Sequence, residues 1–166
     1  SIEAEHFSRK ADKEGFAWHV INGLGKTGDS VSIFPNVAKT FADFPAGSPR
    51  VEYEIRVAKA ADFDVDLYLI PTRPLIAGNG LRIAFSIDDQ SPQIISIDKD
   101  TEVSTPKWSM NVLNQTTAGK GKIRLEKGLH KLRIFAVDTG VVLDKIVLNA
   151  GGMQLSYFGS PETLMR

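Results

Sequence analysis

The chain has 166 residues, 42% of them hydrophobic, which is enough apolar mass to fill one core with no disulfide or metal obligatory. Twenty Lys and Arg balance twenty Asp and Glu, so no global field draws a nucleic-acid backbone or an anionic membrane surface, and neither is expected as a partner. No apolar run approaches the roughly 18 residues of a membrane-spanning helix, and the absence of cysteine excludes a disulfide framework and a thiol nucleophile.

Apolar and polar residues alternate along most of the chain, a period that predicts strands. The first predicted strand, 2–7, carries Glu3 and Glu5. Two apart on an extended strand, their carboxylates project from one face about 6.6 Å apart along the chain. That gap overlaps the acid–base separation of an inverting glycosidase, but parallel side chains cannot approach a glycosidic bond from opposite sides. A hard cation such as calcium, completed by loop carbonyls, uses the pair better, and two solvated surface acids are the plain alternative. The opening Ser1-Ile2-Glu3 has no charged region followed by an apolar stretch, which predicts a soluble, processed piece.

Strand 18–21 brings Trp18, whose indole serves either as core or, if exposed, as a platform for the C–H face of a pyranose. Asn22 opens the loop 22–30, where Gly23-Leu24-Gly25-Lys26-Thr27-Gly28 matches G-x-G-x-x-G. A dinucleotide or phosphate loop must open a helix, whereas 31–34 continues as strand, so a glycine-rich turn is expected. Pro35 and Pro45 to Pro49 bracket a surface loop before strand 51–57, in which Val51, Tyr53, Ile55 and Val57 alternate with Glu52, Glu54 and Arg56. Strand 63–69 leads into a Pro- and Gly-rich loop, 71–80, that holds Asn79, and strand 81–87 follows with Arg82 near its start. Loops of this length are where binding sits, and the planar guanidinium fork suits a carboxylate. Asp88-Asp89 ahead of Pro92 is turn chemistry. The remaining predicted strands are 94–97, 108–113 with Trp108 as a second candidate platform, 123–125, 129–137 and 141–148, for a total of about ten.

No segment of helical period competes, and no repeat or linker interrupts the chain. His6, His19 and His130 lack metal-binding spacing, and His130 shares its strand face with Leu132, Ile134 and Ala136 as a hydrogen-bonded core histidine. No G-x-S-x-G elbow or other catalytic constellation is present. Many short strands with this punctuation predict an all-β protein, an antiparallel β-sandwich occupying residues 1–166 as a single domain.

The opening Ile2-Glu3-Ala4-Glu5-His6-Phe7, with Leu125-Glu126-Lys127-Gly128-Leu129-His130-Lys131-Leu132 and Val142-Leu143-Asp144-Lys145-Ile146, resembles the family 6 and family 35 carbohydrate-binding modules. Those modules begin with an EAE-type strand, carry an L-x-x-G-x-H-x-L strand pair and end on an Asp-containing strand. The resemblance implies a jelly-roll sandwich and a structural calcium ion (Ca2+) on Glu3, Glu5 and Asp144, the metal site expected here.

A closer resemblance covers nearly the whole chain. Gly23 to Val31, Pro71-Thr72 with Gly80-Leu81-Arg82-Ile83-Ala84, Asp88 to Gln93, Val137 to Val147, and the tail Gly151-Gly152 with Ser156-Tyr157-Phe158-Gly159-Ser160-Pro161-Glu162 are similar to the C-terminal domain of family 115 glycoside hydrolases. That family comprises xylan α-glucuronidases, which remove (4-O-methyl)glucuronic acid from glucuronoxylan, often act as dimers, and keep their catalytic residues in earlier domains. The resemblance implies a non-enzymatic accessory domain of a secreted or periplasmic bacterial enzyme. Its expected partners are the parent's catalytic domains, a second copy in a homodimer, or a xylan or glucuronic acid polysaccharide. Either the domain is an assembly module that packs on its enzyme and completes an active site, or it is an independent carbohydrate-binding module for glucuronoxylan. The candidate ligand-binding residues are Trp18, Asn22, Asn79, Arg82 and Trp108, and the shortage of exposed-looking aromatics favours assembly.

Overall fold

The computed structural model describes residues 1–76, 80–97, 105–152 and 159–163. Eleven strands and one helix follow in order: β1 (Ile2–Glu3), β2 (Arg9–Ala11), β3 (Ala17–Ile21), β4 (Ser30–Phe34), β5 (Arg50–Val57), β6 (Ala61–Leu69), β7 (Leu81–Ile87), β8 (Gln93–Ile97), α1 (Pro106–Leu113), β9 (Thr117–Leu125), β10 (Gly128–Ala136) and β11 (Val142–Asn149). They form two antiparallel sheets, one ordered β3-β4-β11-β6-β9 with β1 added on β11, the other β2-β5-β10-β7-β8. The chain is therefore the predicted antiparallel β-sandwich.

Alternation decides which side chains enter the space between the sheets. In β5, Val51, Tyr53, Ile55 and Val57 are buried, as are Ile83, Phe85 and Ile87 of β7 and Leu132 and Ile134 of β10. From the other sheet Trp18, Ile33, Leu67, Leu143 and Ile146 close the same core. Each such side chain contributes about 1.5–3 kcal/mol relative to exposure. The polar atoms of the two largest aromatic residues in this core are bonded: the Trp18 Nε1–H donates to the Pro49 carbonyl at 3.2 Å, and the Tyr53 hydroxyl donates to that of Ala4 at 2.7 Å. At one edge β8 and β9 close on each other, and Gly119 permits it, since a Cβ there would stand 2.6 Å from Ile95 Cγ2 of β8, while one at Gly121 would stand 2.5 Å from a ring carbon of Phe85. Outside the second sheet a smaller cluster forms where Phe44 meets Phe135 edge-on at 5.7 Å above Ala84 and Val137.

Two predicted elements differ. Residues 108–113, expected as a strand, are helical, because Thr105 caps the helix by accepting the Trp108 amide at 3.1 Å and Pro106 sits in its first turn. The first strand ends at Glu3, and Ala4 and Glu5 turn away from it, so the two glutamates do not stand side by side on one strand face. His130 of β10 is hydrogen-bonded as expected, its ring nitrogens meeting Asp88 at 2.7 Å and the Glu126 carbonyl at 2.8 Å, but it is only partly buried and lies outside the core.

Candidate functional site

Glu3, Glu5 and Asp144 come from three different local structures. Glu3 ends β1 opposite Lys145 of β11, Glu5 lies in the turn that follows, and Asp144 occupies the irregularity in the β11–β6 ladder between Leu143 and Lys145. A bulge re-aims a side chain, and here the Asp144 carboxylate, 3% exposed, lies under the glycine-rich turn between β3 and β4. That turn supplies the donors. The Lys26 amide donates to Asp144 Oδ1 at 3.1 Å, the Thr27 hydroxyl to Glu3 at 3.0 Å, and the Asp29 amide to Glu5 Oε1 at 3.0 Å. Lys145 Nζ lies 3.0 Å from Glu3 Oε1.

The donors do not balance the acids. Among the described residues Glu5 Oε2 is buried with no hydrogen-bond partner. Burial, with the charges of Glu3 and Glu5, pushes the Asp144 carboxyl up to about 6 against the opposing pull of the Lys26 amide and Lys145. At Gly25 a Cβ would stand 2.7 Å from Asp144 Oδ1, 2.7 Å from the Thr27 carbonyl and 2.8 Å from the Gly28 carbonyl. Three oxygens thus surround one small space at Gly25, and the same turn comes against the Glu5 carboxylate at Gly28, a set of oxygens that fits a hard, oxygen-seeking cation. Among the described residues no group of three His, Asp or Glu side chains is already gathered as a metal site, so loop carbonyls are needed to complete one. Thr27, Gly25 and Lys145 are the members the sequence reading missed, although the glycine-rich turn itself was visible in it.

Among the described residues the candidate ligand-binding residues are not brought together. Trp18 is 1% exposed and belongs to the core, so it offers no stacking face. Asn22 is exposed at the start of the β3–β4 turn, and Asn79 lies outside the described residues. Arg82 is engaged internally: its Nε and Nη2 donate to Asp138 at 2.7 and 2.9 Å, while its own amide adds a bond to the same carboxylate at 3.1 Å. Asp138 also accepts from the Thr40 hydroxyl at 2.6 Å and is 3% exposed. This corrects the expectation that the Arg82 fork awaits an external carboxylate, and the partner was hidden because it lies 56 residues away. Arg82→Ala is accordingly expected to lower stability by about 2 kcal/mol in urea denaturation, because it strips a buried acid of its counter-charge. A variant as stable as the wild type would show the pair to be dispensable.

Trp108 is half-buried on α1 and borders a cavity of about 580 Å³ that also meets Asn111, Thr72, Ile94 and Lys120. Met110 and Leu113, three apart and hence neighbours on the helix surface, are 53% and 72% exposed, and α1 buries none of its residues.

Residues 1–162 match the sequence model described as "Glycosyl hydrolase family 115 C-terminal domain". The chain belongs to this family. No curated protein matches it. Among solved structures it is similar to BtGH115A, described as a family GH115 4-O-methyl-α-glucuronidase with specificity for decorated arabinogalactans, at 22% identity and a TM-score of 0.62 over 88% of this chain. The match spans 18% of that enzyme's chain. It is also similar to the carbohydrate-binding module CBM6cm-2 of Cellvibrio mixtus lichenase 5A, at 15% identity and a TM-score of 0.56, covering 91% of this chain and 96% of the module. A family 35 module from Clostridium thermocellum gives 12% identity and a TM-score of 0.59, covering 89% and 96%. The module likenesses establish the carbohydrate-binding-module type of sandwich. No described helix is long and apolar enough to cross a membrane.

Proposed function

We propose that this family 115 C-terminal domain is a non-catalytic assembly module of a secreted xylan α-glucuronidase, docking by α1 on the catalytic part of its own enzyme or of that enzyme's second copy. The observation that carries this is a helix with no buried residue that holds Met110 and Leu113 out to solvent, the kind of apolar edge that marks a contact surface. Family membership supports an accessory role. The alternative, an independent module for glucuronoxylan, is favoured by one feature, the cavity bordered by Trp108 and Asn111. Calorimetry with short aldouronic oligosaccharides separates the two. With Trp18 sealed and Arg82 spent, only weak, solvent-competed contacts remain, and affinity no better than about 1 mM is expected. Micromolar binding lost in Trp108→Ala would replace the assembly role with the binding module.

Within the same reading, Glu3, Glu5 and Asp144 hold a structural calcium ion with the Thr27 and Gly28 carbonyls. The unpartnered Glu5 oxygen and the crowded acids support it, and the ion would tie the first strand, the β3–β4 turn and the last strand together.

A further inference from the structure

The outer faces of the two sheets carry charge in different ways. On the first sheet Asp62, Asp64 and Asp66 of β6 stand opposite Arg124, Lys122 and Lys120 of β9, with ion-pair distances of 3.6 to 3.8 Å. Three acids meet three bases, and these two strands are balanced.

The second sheet is not balanced. Its outward positions on β2, β5 and β10 follow from register, because residues directly opposite in an antiparallel ladder share a face. Arg9 stands opposite Glu52, and Glu52 opposite Arg133. Arg50, Glu54 and Arg56 alternate with the core residues of β5, as Lys131 does on β10. Five bases against two acids on these three strands leave a surplus of positive charge in a chain whose net charge is zero, which Asp88 after β7, its carbonyl accepting from Arg133 Nη1, offsets only in part.

Glu52, 4% exposed, organises the centre. Arg50 Nε donates to it at 2.9 Å, and Arg133 Nε and Lys131 Nζ lie 3.6 and 3.9 Å away. Burial alone would raise its carboxyl, but the hydrogen bond from Arg50 and the three positive charges outweigh that and hold it below the usual carboxylate range. One carboxylate thus fixes three cations without neutralising them. Among the described residues Arg9 and Arg56 have no carboxylate at ion-pair distance, and Leu129, opposite Arg56 and 75% exposed, adds an apolar surface beside them.

We propose that this face, Arg9, Arg50, Arg56 and Lys131 around Glu52, holds carboxylate-bearing polysaccharide, pairing with uronate groups along an extended chain. The face rests on the accessory-domain reading only for the choice of polymer. Neighbouring strands set cations about 4.8 Å apart and alternate residues about 6.6 Å apart, so one chain reaches several cations at once. An exposed ion pair is worth at most about 1 kcal/mol. A single sugar is therefore held too weakly to detect, while a polymer engaging two or three cations gains by effective concentration. Screening ends the interaction as the Debye length falls from about 10 Å at 0.1 M salt to about 3 Å at 1 M.

Native affinity electrophoresis of the chain through gels containing glucuronoxylan, or the same polymer with its carboxyl groups reduced to alcohols, tests this. Retardation is expected in the first gel, reduced about tenfold or more in the second, and abolished at about 0.5 M NaCl. The variant Arg9→Ser/Arg56→Ser/Lys131→Ser should migrate freely in both gels with an unchanged melting temperature. If that triple variant fails to fold, Arg9→Ser and Lys131→Ser singly should each weaken retardation by about twofold or more. Equal retardation by native and reduced polymer, full retardation of the variants, or retention by duplex DNA or an acidic protein with none by glucuronoxylan would overturn the proposal. None of these outcomes bears on α1, whose docking is read from the assembly of the complete enzyme.

Discussion

Trp18→Ala is expected to destabilise the fold by about 4 kcal/mol, a large part of the 5–15 kcal/mol that holds a domain of this size together. The indole is 1% exposed and fills the core where β3 meets the opposite sheet. Truncation would remove its packing, leave a cavity, and deprive the Pro49 carbonyl of its donor. Urea denaturation monitored by circular dichroism measures the loss. If Trp18 were instead a sugar platform, the alanine variant would unfold at wild-type denaturant concentration and lose only ligand affinity.

The second large effect is expected from calcium. Chelation should lower the melting temperature, and calcium at about a hundredfold excess over its dissociation constant should restore about 2.7 kcal/mol. Glu5→Ala should abolish the response, because it removes the carboxylate whose Oε2 has no partner among the described residues. The pH dependence has a definite sign. In the chelated protein the Asp144 carboxyl titrates at about 6, above its unfolded value, so the fold prefers it protonated. Its contribution is fully present below about pH 4 and is lost as pH rises through 6, amounting to roughly 3 kcal/mol. Asp144→Asn should remove that slope. Calcium requires the ionised form, so the loaded protein should instead gain relative stability as pH rises through 6, and calcium affinity should fall in acid. A melting curve that ignores chelator and calcium alike, in wild type and Glu5→Ala, would leave the three acids as a buried cluster held by the β3–β4 turn.

Much of the sandwich is written in the period of the side chains. Along β5, β7 and β10 every second residue is apolar because one face is buried, and those strands could be read directly. β9 could not be read in full, since Gly119, Lys120, Gly121 and Lys122 carry no apolar alternation. Its glycines are present because β8 and Phe85 press against it, a contact fixed only by the folded arrangement. Trp108-Ser109-Met110-Asn111-Val112-Leu113 mimics a strand because its apolar residues fall two apart. The Thr105-Pro106 pair ahead of it was the local signal of a helix start.

The site was legible as chemistry more than as geometry. Glu3, Glu5 and Asp144 could be grouped through resemblance, but the turn that crosses above them was set aside as a plain connection. The Arg82–Asp138 pair joins residues 56 apart that no periodicity relates. Net charge misled in its own way, for a total of zero conceals one face with three acid–base pairs and another with a surplus of bases.

The proposed assembly role is tested most directly in the complete protein that carries this domain, by measuring its mass in solution and the α-glucuronidase activity proposed for it with Met110→Ser and Leu113→Ser combined. Both side chains are more than half exposed, so the isolated domain should melt as the wild type does. In the complete enzyme the double variant is expected to dissociate, or to free the domain to limited proteolysis, with activity reduced about tenfold or more, the equivalent of about 1.4 kcal/mol. Unchanged mass, protease resistance and activity would contradict docking through α1.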